Sequence, residues 1–326
     1  NCPQFVIAYY GALKAGAVVV SVNPMFKEIE VEYQLNDSET ETLVTLDYLY
    51  PTVRRVKKKT RLRNIIVTSY RDCLPEKPTL PTHISMEQEK KTFPDTLDFH
   101  HLLEEHEAKP PKVDIDPRED LALLQYSSGT TGEPKAAMIT HFNALVNVVG
   151  GVKWARIEEN DVNLSVLPLF HVLGMQQSMN CPIYSGSTNV LLSRFDIDAI
   201  LKAIEMYKCT VFVSIAPIDQ AIATYPYVKK YDLSSLRLVF TGGAPVPLHV
   251  FDKFKEATGC DLVEGYGLSE TISQVTINPI DKNRHGSVGI PVFDVDAKIV
   301  DPETETKELP IGEEGEIIFK GPQVMK

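Results

Sequence analysis

The sequence predicts an α/β fold built on parallel sheet. Three observations predict it. Short β-branched runs alternate with helix-like stretches from Phe5 to Leu46, and again from Leu121 to Thr258. Two of these runs end in glycine-containing turns, where an open α/β sheet receives ligands. Beyond Gly286 the texture changes to DAKIVDPET and GEEGEIIFKGP, short strands split by turn residues, which predicts a small antiparallel unit at the C-terminal end.

The elements follow in order. Phe5 to Ala15 is apolar almost all round, which predicts a buried helix stopped by Gly16. Ala17 to Val22 is short and β-branched, a buried strand. Helix signals return over Glu28 to Leu35, and Thr42 to Leu46 reads as a strand. The basic run Val53 to Asn64 precedes another strand, IIVTS. Tyr70 to Pro117 holds seven Pro and no sustained periodicity, so an extended surface connection with one short helix near Phe99 to Glu107 is expected. LALLQYSS is then a strand running into a Gly/Thr loop, and Thr140 N-caps a helix to Gly150. NLSVLP, TNVLL, TVFVSI and LRLVFTGG are further strands, with helices over Ile197 to Tyr207 and Val246 to Thr258. Three segments are expected: 1–117 with its Pro-rich connection, 118–285 as a ligand-binding core, and 286–326 as an incomplete antiparallel unit.

Composition narrows the function classes. The chain has 326 residues, 43% hydrophobic and 24% charged, which excludes collagen-like, coiled-coil and globally disordered classes. Lys and Arg total 33 against 44 Asp and Glu, a net charge of −11, so bulk attraction to nucleic acid is not expected. The five Cys are scattered without a CxxC, which argues against a disulfide framework or zinc knuckle and for a reducing, cytoplasmic setting. The apolar stretch FVIAYYGALKAGAVVV is too short and too interrupted by Lys14 and Gly16 to span a bilayer, and no signal peptide is visible. Seven of the ten residues Arg54 to Arg63 are basic; a solvated helix face is the expected reading, and peripheral contact with anionic lipid the other. A homodimer is left open.

Four segments carry chemistry. YSSGTTGEPK, Tyr126 to Lys135, places two Ser, two Thr and two Gly in six residues, with a Lys three residues on. Small residues let backbone and hydroxyl groups approach a polyanion, and the ammonium adds charge, so a phosphate-cradling loop is expected against the plainer reading of a solvated loop. It is not a Walker A loop, because Pro134 precedes the Lys and Ala136 follows it. EGYGLSET, Glu264 to Thr271, offers a Tyr face for a nucleobase, Ser269 for a phosphate and Glu270 for a hard divalent cation; a plain turn is the alternative. TGGAPVP, Thr241 to Pro247, puts paired Gly at a strand end, or a tight turn into a helix. LPLFHVLGM sets His171 in apolar surroundings, where a hydrogen-bonded core histidine is the common outcome.

In this order and spacing the four segments resemble the adenylate-forming superfamily, which includes acyl-CoA synthetases, aryl-CoA ligases, insect luciferases and peptide-synthetase adenylation domains. The resemblance runs over nearly the whole chain. It implies a large domain with two parallel-type sheets flanked by helices, and a two-step reaction. A carboxylate attacks the α-phosphorus of ATP, pyrophosphate leaves, and the thiol of coenzyme A then takes the acyl group from the adenylate.

The resemblance also implies roles. Ser127, Ser128, Gly129, Thr130, Thr131, Gly132 and Lys135 would grip the β- and γ-phosphates. Gly242, Gly243, Ala244 and Pro245 would flank adenine and acyl group, with Glu264, Gly265, Tyr266 and Gly267 beside them. Tyr266 would stack on adenine, Ser269 would bond the α-phosphate and Glu270 would bind Mg²⁺. His171 would gate or position at the junction of acyl pocket and thiol channel. The acyl-pocket segment, Phe212 to Pro226 with Ile218, is mostly apolar, and Asp219 and Gln220 are expected to face away or sit at a helix start. The absence of Asp after Phe170 disfavours amino-acid substrates. A medium- or long-chain fatty acid is the first expectation, an aryl or 4-coumarate-type acid the second, and a non-catalytic nucleotide-binding domain the reading from another class. Ala136 stands where the family usually has Gly, and Glu264 where aryl-CoA ligases usually have Gln. The family's later ribose-binding segment and small catalytic domain are not in the sequence, so a poorly active large-domain fragment is expected.

Overall fold

The computed structural model describes all residues except 83 and 128–133, and the side chains of 84 and 85 are likewise left aside. The chain divides into two compact units, residues 1–116 with 121–136, and residues 117–120 with 137–326.

The first unit contains α1 (Pro3–Lys14), β1 (Val19–Val20), α2 (Glu28–Asp37), β2 (Thr42–Leu46), α3 (Tyr50–Val56), β3 (Asn64–Thr68), α4 (Ile84–Glu87), β4 (Leu97–Asp98), α5 (Phe99–Glu105) and β5 (Leu121–Ser127). β2, β3 and β4 form a parallel sheet, and β1 pairs with β5 in parallel. α2 and α3 close one core with the sheet: Leu35, Tyr50 and Val56 are almost inaccessible, with Ile65 and Val67 of β3 against them. α1 is less covered than its sequence predicts. Only Gln4 and Tyr9 are buried, and Gln4 is drawn in because its amide donates to the Ser69 carbonyl at 2.7 Å. β1 is likewise half-exposed, not buried. The Pro-rich stretch carries two short helices where one was expected.

The basic run forms α3 and a 3₁₀ turn, Lys57–Lys59. Acids on and after α2 and at Asp95 neutralise five of its cations: Arg55 with Glu28, Lys57 with Asp95, Lys59 with Glu32, Arg61 with Glu39 and Arg63 with Glu41. Exposed pairs of this kind add little stability. They offset part of the positive charge of the run.

β6 (Lys135–Thr140) carries the chain into the second unit. There follow α6 (His141–Ala155), β7 (Val162–Ser165), a π-helix over Gly174–Asn180, α7 (Cys181–Ser185), β8 (Thr188–Leu191), α8 (Ile197–Tyr207), β9 (Val211–Ile215), α9 (Ala216–Thr224), β10 (Leu238–Gly242), α10 (Leu248–Thr258), β11 (Leu262–Leu268), β12 (Ser273–Ile277), β13 (Ile290–Pro291), β14 (Asp296–Val300) and β15 (Glu316–Lys320). Seven strands form one sheet in the order β13-β12-β11-β10-β9-β7-β8. β8, β7, β9, β10 and β11 are parallel. The central strands β9 and β10 are buried along almost their whole length, as expected for parallel strands covered on both faces.

The sheet departs from the purely parallel expectation at one edge, where β12 and β13 add on antiparallel. β11 runs straight into a tight 3₁₀ turn and returns as β12, and a connection that short permits only antiparallel pairing. The expected antiparallel unit is present as β14 paired with β15. Thr140 N-caps α6 as predicted, its Oγ1 accepting from Asn143 N at 3.2 Å. The helix runs on to Ala155 despite Gly150 and Gly151. All five cysteines are free, Cys73 exposed and the others buried.

Candidate active site

The second unit gathers three of the four sequence segments at the carboxyl end of its parallel strands, where open α/β sheets bind ligands. β10 ends at Gly242, and the turn that follows exposes Gly243, Ala244 and Pro245 before burying Val246. Gly243 has φ +78°, a left-handed conformation that most side chains resist. Beside it, β11 carries Glu264, Gly265, Tyr266 and Gly267, register-paired with β10 through Thr241 and Glu264. The β11–β12 pairing slips between Tyr266 and Gly267. The backbones then approach so closely that a Cβ on Gly267 would fall 1.8 Å from the Ser273 carbonyl oxygen. Only glycine fits there, and the slip re-aims Tyr266.

Tyr266 is half-buried, its ring centroid 6.1 Å from that of Phe319 on β15 at an interplanar angle of 32°. Ser269 and Glu270 lie on the 3₁₀ turn that follows, Glu270 exposed. Its carboxylate has no hydrogen-bond or ion-pair partner among the described residues, while its main-chain carbonyl accepts from Met325 N at 2.8 Å. A free, exposed carboxylate suits a cation that keeps most of its ligands from water and phosphate oxygens. Among the described residues no cluster of three or more His, Cys, Asp or Glu forms a closed metal site.

His171 does not lie in the core. It is exposed, with its N–H on the Pro168 carbonyl at 3.1 Å and its carbonyl accepting from Met175 N at 2.8 Å. Leu173 N–H points at Nδ1 at 3.4 Å, so in the neutral ring the proton belongs on Nε2. Crowding by the surrounding protein lowers its pKa below the ordinary imidazole value, so the neutral form prevails at pH 7. Behind it the π-helix buries Gln176, Gln177, Ser178 and Asn180 completely or nearly so. π-turns of this sort concentrate at functional sites. Gln177 and Gln274 of β12 bond amide to amide, and Gln274 Nε2 also donates to the Asn147 carbonyl at 3.1 Å.

Ile218 is buried in α9, and of the two expected placements Asp219 takes the helix start while Gln220 is exposed. Asp219 sits in the first turn of α9, fully buried, with Oδ2 accepting from Thr241 Oγ1 at 2.5 Å. Burial pushes its carboxyl up to about 6, and the neighbouring Glu264 charge pushes the same way. Glu264 is 5% exposed, accepts the Val246 N–H at 3.3 Å, and is itself raised by burial.

In the first unit, Ser127 ends β5 and Lys135 starts β6. Lys135 is exposed, and no acid pairs with it among the described residues. Ser128, Gly129, Thr130, Thr131 and Gly132 lie outside the described residues. Both flanks of that loop are held by α2. Tyr126 Oη donates to Asp37 Oδ2 at 2.5 Å, and Tyr33 Oη donates to the Pro134 carbonyl at 2.9 Å. Neither Asp219 nor this pair of tethers was legible in the sequence. The signal for Asp219 was an acid inside an apolar segment; for Tyr33 and Asp37 there was only their one-turn spacing.

A family profile described as AMP-binding enzyme matches residues 1–326. The chain belongs to the AMP-binding enzyme family. Similar proteins include the long-chain-fatty-acid–CoA ligase of Bacillus subtilis (strain 168), 39% identical over all of this chain and 60% of its own length. The 4-coumarate–CoA ligase 1 of Petroselinum crispum is 33% identical, over all of this chain and 57% of its own. The chain thus spans about three fifths of the length of the curated relatives it matches. Among solved structures, a long-chain-fatty-acid-CoA ligase from Archaeoglobus fulgidus superposes with a TM-score of 0.85 at 27% identity, covering all of this chain and 62% of the other. ATP-bound MatB from Rhodopseudomonas palustris gives 0.83 at 26% identity, covering all of this chain and 59% of the other. The α/β architecture of this chain is therefore that of acyl-CoA ligase large domains.

Proposed function

We propose that this chain carries the ATP-grasping and acid-activating part of an AMP-forming acid–CoA ligase whose acid is a medium- or long-chain fatty acid. The observation that carries the reading is the convergence of the exposed Gly243–Pro245 turn, Tyr266 and the exposed Glu270 carboxylate at the carboxyl end of one sheet, in a chain of this family. The names of several relatives, long-chain-fatty-acid–CoA ligases, support the acid class.

In this reading Gly242, Gly243, Ala244 and Pro245 present backbone and small side chains to adenine and acyl group. Tyr266 lies flat on the base, Gly265 and Gly267 leave room for it, and Ser269 reaches the α-phosphate. Ser127 to Gly132 and the Lys135 ammonium take the β- and γ-phosphates. Glu270 would hold Mg²⁺, which when bound would neutralise phosphate charge. The protein contributes positioning and charge neutralisation, while the acid's own carboxylate displaces pyrophosphate from the α-phosphorus. His171, neutral and exposed, orients groups near the thioester-forming step and is not required to move a proton. Coenzyme A is the acyl acceptor. A cytoplasmic location accords with five free thiols.

The 33% identity to a 4-coumarate–CoA ligase favours one second reading, an arylpropenoic acid. Acid-dependent exchange of pyrophosphate into ATP, run over a panel of saturated C8 to C18 and aryl acids, tests both. Exchange with the fatty acids is expected. Exchange confined to aryl acids would transfer the assignment to the second reading, and no exchange with any acid would leave a nucleotide-binding module.

A further inference from the structure

Two carboxyl groups lie beneath the Gly242–Pro245 turn. Ser214, Thr241 and Glu264 occupy one rung across three parallel strands, since Ser214 is the register partner of Thr241, and Thr241 that of Glu264. Register partners present their side chains to the same face of a sheet. Asp219, from the first turn of α9, meets this rung at Thr241.

Each carboxyl holds one end of the turn. Thr241, bound to Asp219 Oδ2 at 2.5 Å, directly precedes Gly242. Val246, whose N–H reaches Glu264 Oε1 at 3.3 Å, directly follows Pro245. Between these two points Gly243, Ala244 and Pro245 are exposed. Besides Thr241, the acid has Ser214 of the same rung and the N-terminal turn of α9 to favour its charged form. No Lys, Arg or His pairs with it among the described residues, and Ile218 and Ile222 beside it on α9 are buried and apolar. A fully buried carboxyl without a cation costs stability, and an aliphatic residue of similar volume would not.

We propose that Asp219 is a positioning residue for the nucleotide-facing turn: through Thr241 it fixes where Gly242 and Gly243 present their backbone, as Glu264 does at Val246. The proposal deepens the ligase reading and rests on its assignment of this turn to the adenylate. Asp219 touches neither ATP nor the acid; it acts through Thr241.

The test uses Asp219→Leu, Asp219→Asn, Thr241→Val and the double variant Asp219→Leu/Thr241→Val, with ATP binding measured by calorimetry beside acid-dependent pyrophosphate exchange. Asp219→Leu and Thr241→Val are each expected to weaken ATP binding and raise KM for ATP at least tenfold, with kcat changed less than threefold. The double variant is expected to be no weaker than either single one, because both remove the same tether. Asp219→Asn, whose amide oxygen can still accept from Thr241, is expected to recover most of the loss. ATP affinity within twofold of the parent in folded Asp219→Leu and Thr241→Val would overturn the proposal, as would an Asp219→Asn as weak as Asp219→Leu. Should Asp219→Leu fail to fold, Thr241→Val, isosteric and strand-compatible, decides alone. A parent protein that binds ATP, responds to these changes as expected, but shows no acid-dependent exchange would refute the ligase reading and leave the tether standing. A parent that binds no ATP would refute both.

Discussion

Tyr126 donates its phenolic hydrogen to Asp37 Oδ2 at 2.5 Å, and Tyr33, one turn earlier on the same helix, donates to the Pro134 carbonyl at 2.9 Å. One helix face thus ties down the residue before Ser127 and the residue before Lys135. Burial and the Asp37 charge both raise the Tyr126 pKa, so the hydroxyl stays a donor at any physiological pH. Asp37→Ala is expected to lower stability by about 1 kcal/mol, the worth of a partly exposed charge-assisted hydrogen bond. It should also raise KM for ATP, whereas Asp37→Asn, which keeps an acceptor, should do neither. Urea unfolding together with ATP kinetics checks this.

Asp219 ties stability to pH in the opposite sense from a paired acid. Its folded pKa, about 6, lies above its unfolded value, so the folded state holds the extra proton between the two. Stability from this group is full below pH ~4 and is lost as pH rises toward 6. The loss approaches ~3 kcal/mol for a shift of about two units. Asp219→Asn does not titrate, so its stability relative to the parent should improve by up to that amount between pH 4 and pH 7. Urea melts at both pH values decide; a constant difference would show that Asp219 is ionised in the folded state.

Asp161 shows the ordinary case. Burial alone would raise its carboxyl, but Arg237, through Nε at 2.8 Å and Nη2 at 2.5 Å, and Thr210 at 2.6 Å outweigh it and hold the pKa below the usual value. Its contribution is present above about pH 4 and is lost as pH falls through the lower folded value. Arg237→Met would leave a carboxylate that is 6% exposed without its main partner. A cost of about 2 kcal/mol is expected at pH 7, below the value for a fully buried pair because Arg237 itself is partly exposed. The cost should shrink below pH 4, and KM for ATP should not move.

Gly151 on α6 faces the buried amides. A Cβ there would lie 2.9 Å from both Gln177 Oε1 and Gln274 Nε2. Gly151→Ala is therefore expected to destabilise by about 1–3 kcal/mol through overpacking, against the gain in helix propensity that alanine normally brings. Thermal melting reads the sign directly.

Glu270 and Lys135 are the simplest test of the chemistry. Glu270→Gln removes the charge from an exposed carboxylate that has no hydrogen-bond or ion-pair partner among the described residues. A fall of ~100-fold in pyrophosphate exchange, about 3 kcal/mol, is expected, relieved in part by excess Mg²⁺. Lys135→Ala should raise KM for ATP similarly with no Mg²⁺ relief. A change within threefold in either would remove that residue from the site.

Local pattern determined much of this protein. β-branched runs and helix signals placed β2, β3, β5, β7, β9 and β10 and the helices α2, α6, α8 and α10, because periodicity and caps such as Thr140 are properties of neighbouring residues. The motifs Thr241–Pro247 and Glu264–Thr271 could likewise be singled out as candidates, since glycines and a Tyr-Ser-Glu run are local chemistry. Tertiary structure alone decided what lies between them. Nothing near Asp219 in the chain says that Thr241 will be its partner, nothing in Tyr126 points to Asp37, and the apolar look of α1 did not guarantee burial. Which face a residue shares, and with whom, is settled by strand register and helix docking, and those depend on contacts between residues tens of positions apart.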